Sequence, residues 1–137
     1  MKKALFFVTC SVLFLVSCDK LFVGISGKEA ELQGKWQQDN ADTVYYNFQN
    51  SLFMYQIYLN KDSIAQSYGY YNLYGDTAID LRLLSEYTNF SWEQLGWTTF
   101  YSPTGQDTIF KSFKINELTD KKLVLQSNDG KISFHKF

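Results

Sequence analysis

The side chains that could do chemistry are few and scattered. His135 is the only histidine and sits near the chain end. A Ser-His-acid set would have to use it. It falls on the strand face opposite Ile132 and Phe134, a solvent-facing position with nothing nearby to complete a triad. Glu86 and Glu93 flank an irregular segment and are the one carboxylate pair that could meet across a glycosidic bond. Two solvated loop charges describe them better. Metal ligation needs clustered His, Cys, Asp and Glu, and the carboxylates here are dispersed. No glycine-rich phosphate loop occurs. The reading is a protein that is not an enzyme, with no metal and no cofactor. The nucleophile left to explain is Cys18, which closes a short apolar run.

Lys2 and Lys3 precede that run, and Ala4 to Val16 is almost wholly apolar. Spanning a bilayer takes roughly 20 apolar residues, so the run is too short for a transmembrane helix. A charged start, a short greasy middle and small residues at the end describe a signal peptide. Leu15-Val16-Ser17-Cys18 resembles the lipobox of bacterial lipoproteins at every position. The resemblance implies acylation of the Cys18 thiol and cleavage just before it. Residues 1–17 are then a lipoprotein signal peptide. Residues 18–31 are the acylated cysteine and a flexible tether, and 32–137 are the folded domain. Acyl chains on Cys18 make the membrane the first expected partner. Each buried methylene adds about 0.8 kcal/mol, and two or three chains hold firmly where one does not. The expected location is the bacterial cell envelope, lipid-anchored, at the outer membrane.

Loss of residues 1–17 removes Lys2 and Lys3 and lowers the formal charge by two from −1. No basic block remains, which argues against nucleic acid. Cys10 leaves with the signal and Cys18 goes to lipid, so no disulfide can form. Stability must come from a packed core. Aromatics are 18% of the chain, and these residues favour strands and bury large areas.

From Leu32 onward the chain reads as β. Thr43–Gln49 alternates Val44, Tyr46 and Phe48 against Tyr45, Asn47 and Gln49. Thr77–Leu84 alternates Ile79, Leu81 and Leu83 against Asp80 and Arg82. Gly69 inside a tyrosine-rich stretch suggests a bulge or sharp bend. Asn50-Ser51, Gly75-Asp76 and Asn128-Asp129-Gly130 mark tight turns. Parallel pairing needs longer crossovers than these turns supply. The expectation is all-β: an antiparallel up-and-down meander of eight or nine strands that closes into a barrel and so removes its edges. A two-sheet β-sandwich is the alternative.

Ser85–Gly96 breaks the rhythm. Ser91-Trp92-Glu93-Gln94 has capping-box spacing for a short helical turn. Tyr87, Phe90, Trp92, Trp97, Phe100 and Tyr101 crowd one window around it. Such rings could form a lid that stacks on a ligand, or they could plug one barrel end. Eight strands leave an interior that side chains can fill, which favours the plug.

Gly34-Lys35-Trp36 followed by a meander resembles the lipocalin and calycin barrels, and more closely the short lipocalin-like lipoproteins of Bacteroidetes-type bacteria. Those join a lipobox, a linker, a Gly-x-Trp strand and a tail like Phe134-His135-Lys136-Phe137. The resemblance implies a barrel floor at Trp36 and a small apolar or amphipathic ligand; the aromatic window read above would place Tyr87, Phe90, Trp92 and Trp97 at the rim. The lipocalin Thr-Asp-Tyr motif is absent, and no late arginine is present to stack on the tryptophan, since Arg82 is the only one. The competing reading is a surface module that binds glycan or a protein partner through exposed aromatics.

Overall fold

Alternation along the chain sets the strands. In Ala78–Leu84, Ile79, Leu81 and Leu83 are fully buried, while Arg82 between them is exposed. Side chains two apart share a face of an extended chain, so this stretch gains most by lying flat on a core. The computed structural model describes residues 27–84, 97–100, 103, 105 and 107–137, with the backbone alone for 99 and 100. In chain order its elements are α1 (Lys28–Leu32), β1 (Gly34–Gln38), β2 (Ala41–Gln49), β3 (Leu52–Asn60), β4 (Ser63–Tyr74), β5 (Ala78–Leu84), β6 (Thr98–Phe100), β7 (Thr108–Leu118), β8 (Lys122–Ser127) and β9 (Gly130–Lys136).

The sheet runs β5-β4-β3-β2-β1-β9-β8-β7, and β7 pairs back onto β5. Every ladder is antiparallel. Eight strands therefore close a barrel, and the sandwich alternative falls away. Closure leaves no long unpaired edge. β6 adds to the edge of β7 beside β8.

Register fixes the two ends of the barrel. The β2–β3, β4–β5 and β7–β8 turns lie at the same end as α1 and the C-terminus, here called the base. The β1–β2, β3–β4 and β8–β9 turns lie at the other end, where β5 finishes at Leu84.

Two expectations are corrected. The sequence predicts a loose tether to residue 31, but the chain is helical from Lys28. Leu32 is fully buried, and the Lys28 ammonium donates to the Leu118 carbonyl at 2.8 Å. One apolar side chain and one anchored cation are enough to dock a single turn. Gly69 carries no bulge: the ladder runs unbroken through it, with Phe53 on one side and Leu83 on the other. Its role is close approach. A Cβ there would lie 1.7 Å from the Arg82 carbonyl oxygen.

Candidate functional site

Trp36 seals the base. Gly34 before it has φ 114°, which lets β1 leave α1 and turn directly into the wall. The Trp36 ring is fully buried, and its Nε1–H donates to the Leu32 carbonyl at 2.7 Å. That bond satisfies a carbonyl at the end of α1 that has no helical partner. The Lys136 Nζ lies 4.7 Å from the Trp36 ring centre and donates to the Glu31 carbonyl at 2.7 Å. Partial burial lowers the Lys136 pKa below the usual lysine value. Tyr71 completes the base. Its hydroxyl donates to the Asn50 carbonyl and accepts from Gln33 Nε2 at 2.8 Å.

Above this floor the interior is built from rings. Tyr46 meets Phe53, Tyr55 and Phe134 at centroid distances of 5.2, 5.1 and 4.6 Å. Trp97 stacks on Phe53 at 6.3 Å with a 7° tilt. It also meets Tyr55 edge-on at 5.9 Å and Phe113 at 6.4 Å. Burial pushes the Tyr46 phenol well above its ordinary pKa and the Tyr55 phenol up to about 12. Ser67 lies opposite Tyr55 across the β3–β4 ladder. It is fully buried, and among the described residues its hydroxyl has no hydrogen-bond partner. An orphaned buried hydroxyl costs about 1–3 kcal/mol.

The sequence-derived residues separate. Trp36 belongs to the base. Trp97 is 9% exposed and packs as an interior plug rather than an open rim ring. Cys18, Tyr87, Phe90, Trp92, the Glu86–Glu93 pair and the capping-box turn lie outside the described residues. His135 is exposed. Its Nδ1 is 2.7 Å from Asp39 Oδ1 and its Nε2 is 3.0 Å from Gln37 Oε1. Neither partner is a serine, threonine or cysteine, so this grouping is not a Ser-His-acid set. Among the described residues, no group of three or more His, Cys, Asp or Glu side chains comes together.

Three features escaped sequence reading. Lys136 supplies a cation over Trp36, although the chain lacks a late arginine to stack there. Ser67 presents an unpartnered polar atom, among the described residues, inside a ring-lined wall. The pattern could have hinted at it, because Ser67 holds an inward position between Ala65 and Gly69. The third feature is a pair of pockets where β6 and β8 share the edge of β7. A further groove, about 910 Å³, lies at the base between α1 and the β4–β5 turn. It is open to solvent, and its lining mixes Lys28, Glu29 and Asp76 with Tyr71, Leu73 and Tyr74.

A family model described as a lipocalin-like domain matches residues 13–137. Among solved structures, the chain is similar to a lipocalin-like protein from Bacteroides uniformis. The two are 30% identical, with a TM-score of 0.61, over 78% of this chain and 99% of that one. It is also similar to an uncharacterized protein from Bacteroides eggerthii, at 27% identity and TM-score 0.58, over 77% of this chain and 99% of that one. No curated protein matches.

Proposed function

We propose that this chain, which belongs to the lipocalin-like domain family, is a lipid-anchored envelope protein whose barrel binds a small apolar or amphipathic ligand. The lipocalin-like fold itself suggests small-ligand binding. The observation that carries the reading is the Ser67 hydroxyl, orphaned in a ring-lined interior beside Tyr55. Apolar walls with a few placed polar groups are what small-molecule sites are made of. The bound molecule would be held by rings and oriented by a hydrogen bond. In this reading the protein binds and does not catalyse, and His135 is a surface strut to Asp39.

Anchoring rests on Leu15-Val16-Ser17-Cys18. Gly27, where the described chain begins, lies at the base. A stretch from Cys18 to Gly27 reaches roughly 30 Å when extended. The base would then face the lipid, and the opposite end would face away. Replacing Cys18 by Ala should release the protein or leave it uncut. Full membrane partition of that variant, cut at the same place, contradicts the anchor.

Native mass spectrometry of the full chain tests the binding claim. A co-purifying small mass, or a shift on adding fatty acids or alcohols, supports it. Bare protein under all such additions contradicts it.

A second reading has its own observation. Tyr68, Tyr70 and Tyr74 on β4 are 45, 50 and 53% exposed, and they share the outer face of one strand. Such a stripe suits stacking on a sugar chain or a protein partner. Loss of polysaccharide retention in Tyr68→Ala and Tyr70→Ala, with stability intact, would favour this surface over the interior.

A further inference from the structure

We propose that the barrel takes in an anionic amphipath sideways, at the seam between β6 and β8, with Lys111, Lys114 and Lys131 receiving its head group. This rests on the small-ligand reading above.

The seam is a consequence of register. One edge of β7 pairs with β5 from Thr108 to Lys114. On the other edge, Thr108–Phe110 pair with β6 and Lys114–Leu118 pair with β8. Lys111, Ser112 and Phe113 lie between these two ladders. Two pockets meet the wall at this place and share Lys111, Phe113 and Ser127 in their linings. The outer one, about 510 Å³, runs over Phe110 and Lys114. The inner one, about 110 Å³, reaches Trp97 and Ile132. Trp97 and Phe113 are core rings, 9% and 3% exposed. Here a pocket open to solvent touches the ring-filled interior directly.

Among the described residues, charge at the seam is net positive. Its linings carry Lys111, Lys114 and Lys131 against one carboxylate, Asp129. The whole chain has a net charge of −1, so this excess is local. Lys111 is ion-paired with Asp129; the lysine side chain is 14% exposed and the carboxylate 68%. The lysine is therefore the fixed partner and the aspartate the solvent-facing one. A ligand carboxylate can take the place of Asp129 on Lys111, exchanging one charge-assisted bond for another. Its apolar tail then lies against Phe113, Ile132 and Trp97. Asp129 returns to water at little cost because it is already mostly exposed.

The test is calorimetric titration of the full chain with dodecanoate and with dodecanol. Wild type is compared with Lys111→Gln/Lys131→Gln, and Lys61→Gln serves as a control away from the seam. Dodecanoate should bind the wild type more tightly than dodecanol does. The double variant should lose about tenfold in dodecanoate affinity, the scale of one charge-assisted hydrogen bond. Dodecanol affinity should stay within about twofold, since it offers no charge to a lysine. Lys131→Gln alone keeps the Lys111–Asp129 pair and should give a smaller loss of the same sign. Binding of both lipids with the double variant unchanged overturns the seam and leaves the small-ligand reading standing. Equal loss of both lipids also overturns it. Binding of neither lipid to the wild type ends both.

Discussion

The Lys136 ammonium stands 4.7 Å over the Trp36 ring while donating to the Glu31 carbonyl at 2.7 Å. One cation thus ties the last strand to the first strand and to the helix that covers the base. Lys136→Met keeps the length of the stem and removes the charge. It should cost about 1–2 kcal/mol in urea unfolding, from one cation–π contact and one charge-assisted bond. Lys136→Arg should recover most of it. Equal stability of the Met variant would mean that the lysine only decorates the base.

Gly69 should tolerate nothing larger. An added Cβ would sit 1.7 Å from the Arg82 carbonyl oxygen, where β4 and β5 come together. Gly69→Ala must push two paired strands apart and should cost more than about 3 kcal/mol or prevent folding. Gly75→Ala, with open space around its Cβ but φ 60°, should cost only about 1 kcal/mol. Circular dichroism of the two variants separates steric from conformational cost.

Trp97 should behave as core. Trp97→Ala should lose about 3–5 kcal/mol, the range for a buried large ring. Trp97→Phe should keep most of the stability. An unchanged unfolding midpoint in the Ala variant would place this ring outside the barrel and contradict its stacking on Phe53.

Alkaline pH should weaken the fold. The Tyr55 phenol is pushed up to about 12 and Tyr46 well above its ordinary value, both by burial. Unfolded tyrosines titrate near about 10. As pH rises, the unfolded chain releases these protons first. Their contribution is therefore intact below about 10 and falls away between about 10 and 12. Lys136, whose pKa is lowered by burial, acts with the opposite sign and offsets part of the loss. The Tm should drop steeply above pH 10 in the wild type, and Tyr46→Phe/Tyr55→Phe should flatten that slope. Parallel slopes would show that these phenols ionise freely in the fold.

Most of the wall was legible in the sequence because strand period and burial coincide. Ile79, Leu81 and Leu83 on β5 and Phe113 and Ile115 on β7 all face the core as their alternation implies. Tyr45 shows where alternation misleads. It points outward, yet it is 8% exposed, because Tyr58, Phe137 and the Lys35 ammonium cover it from neighbouring strands. Such cover comes from residues distant in sequence. The α1 turn was unreadable for another reason. It has only five residues and no side-chain cap, so it is held by docking rather than by local preference. The seam depends on where two ladders stop along one strand, and no local pattern records that.

The most direct measurement follows the indole N–H signals of Trp36, Trp92 and Trp97 by nuclear magnetic resonance as dodecanoate is added, each assigned by its Trp→Phe variant. A ligand held inside the barrel beside the plug should move the Trp97 signal saturably and leave that of Trp36, bonded to the Leu32 carbonyl, in place. A Trp97 signal that stays fixed at saturating lipid would contradict the account.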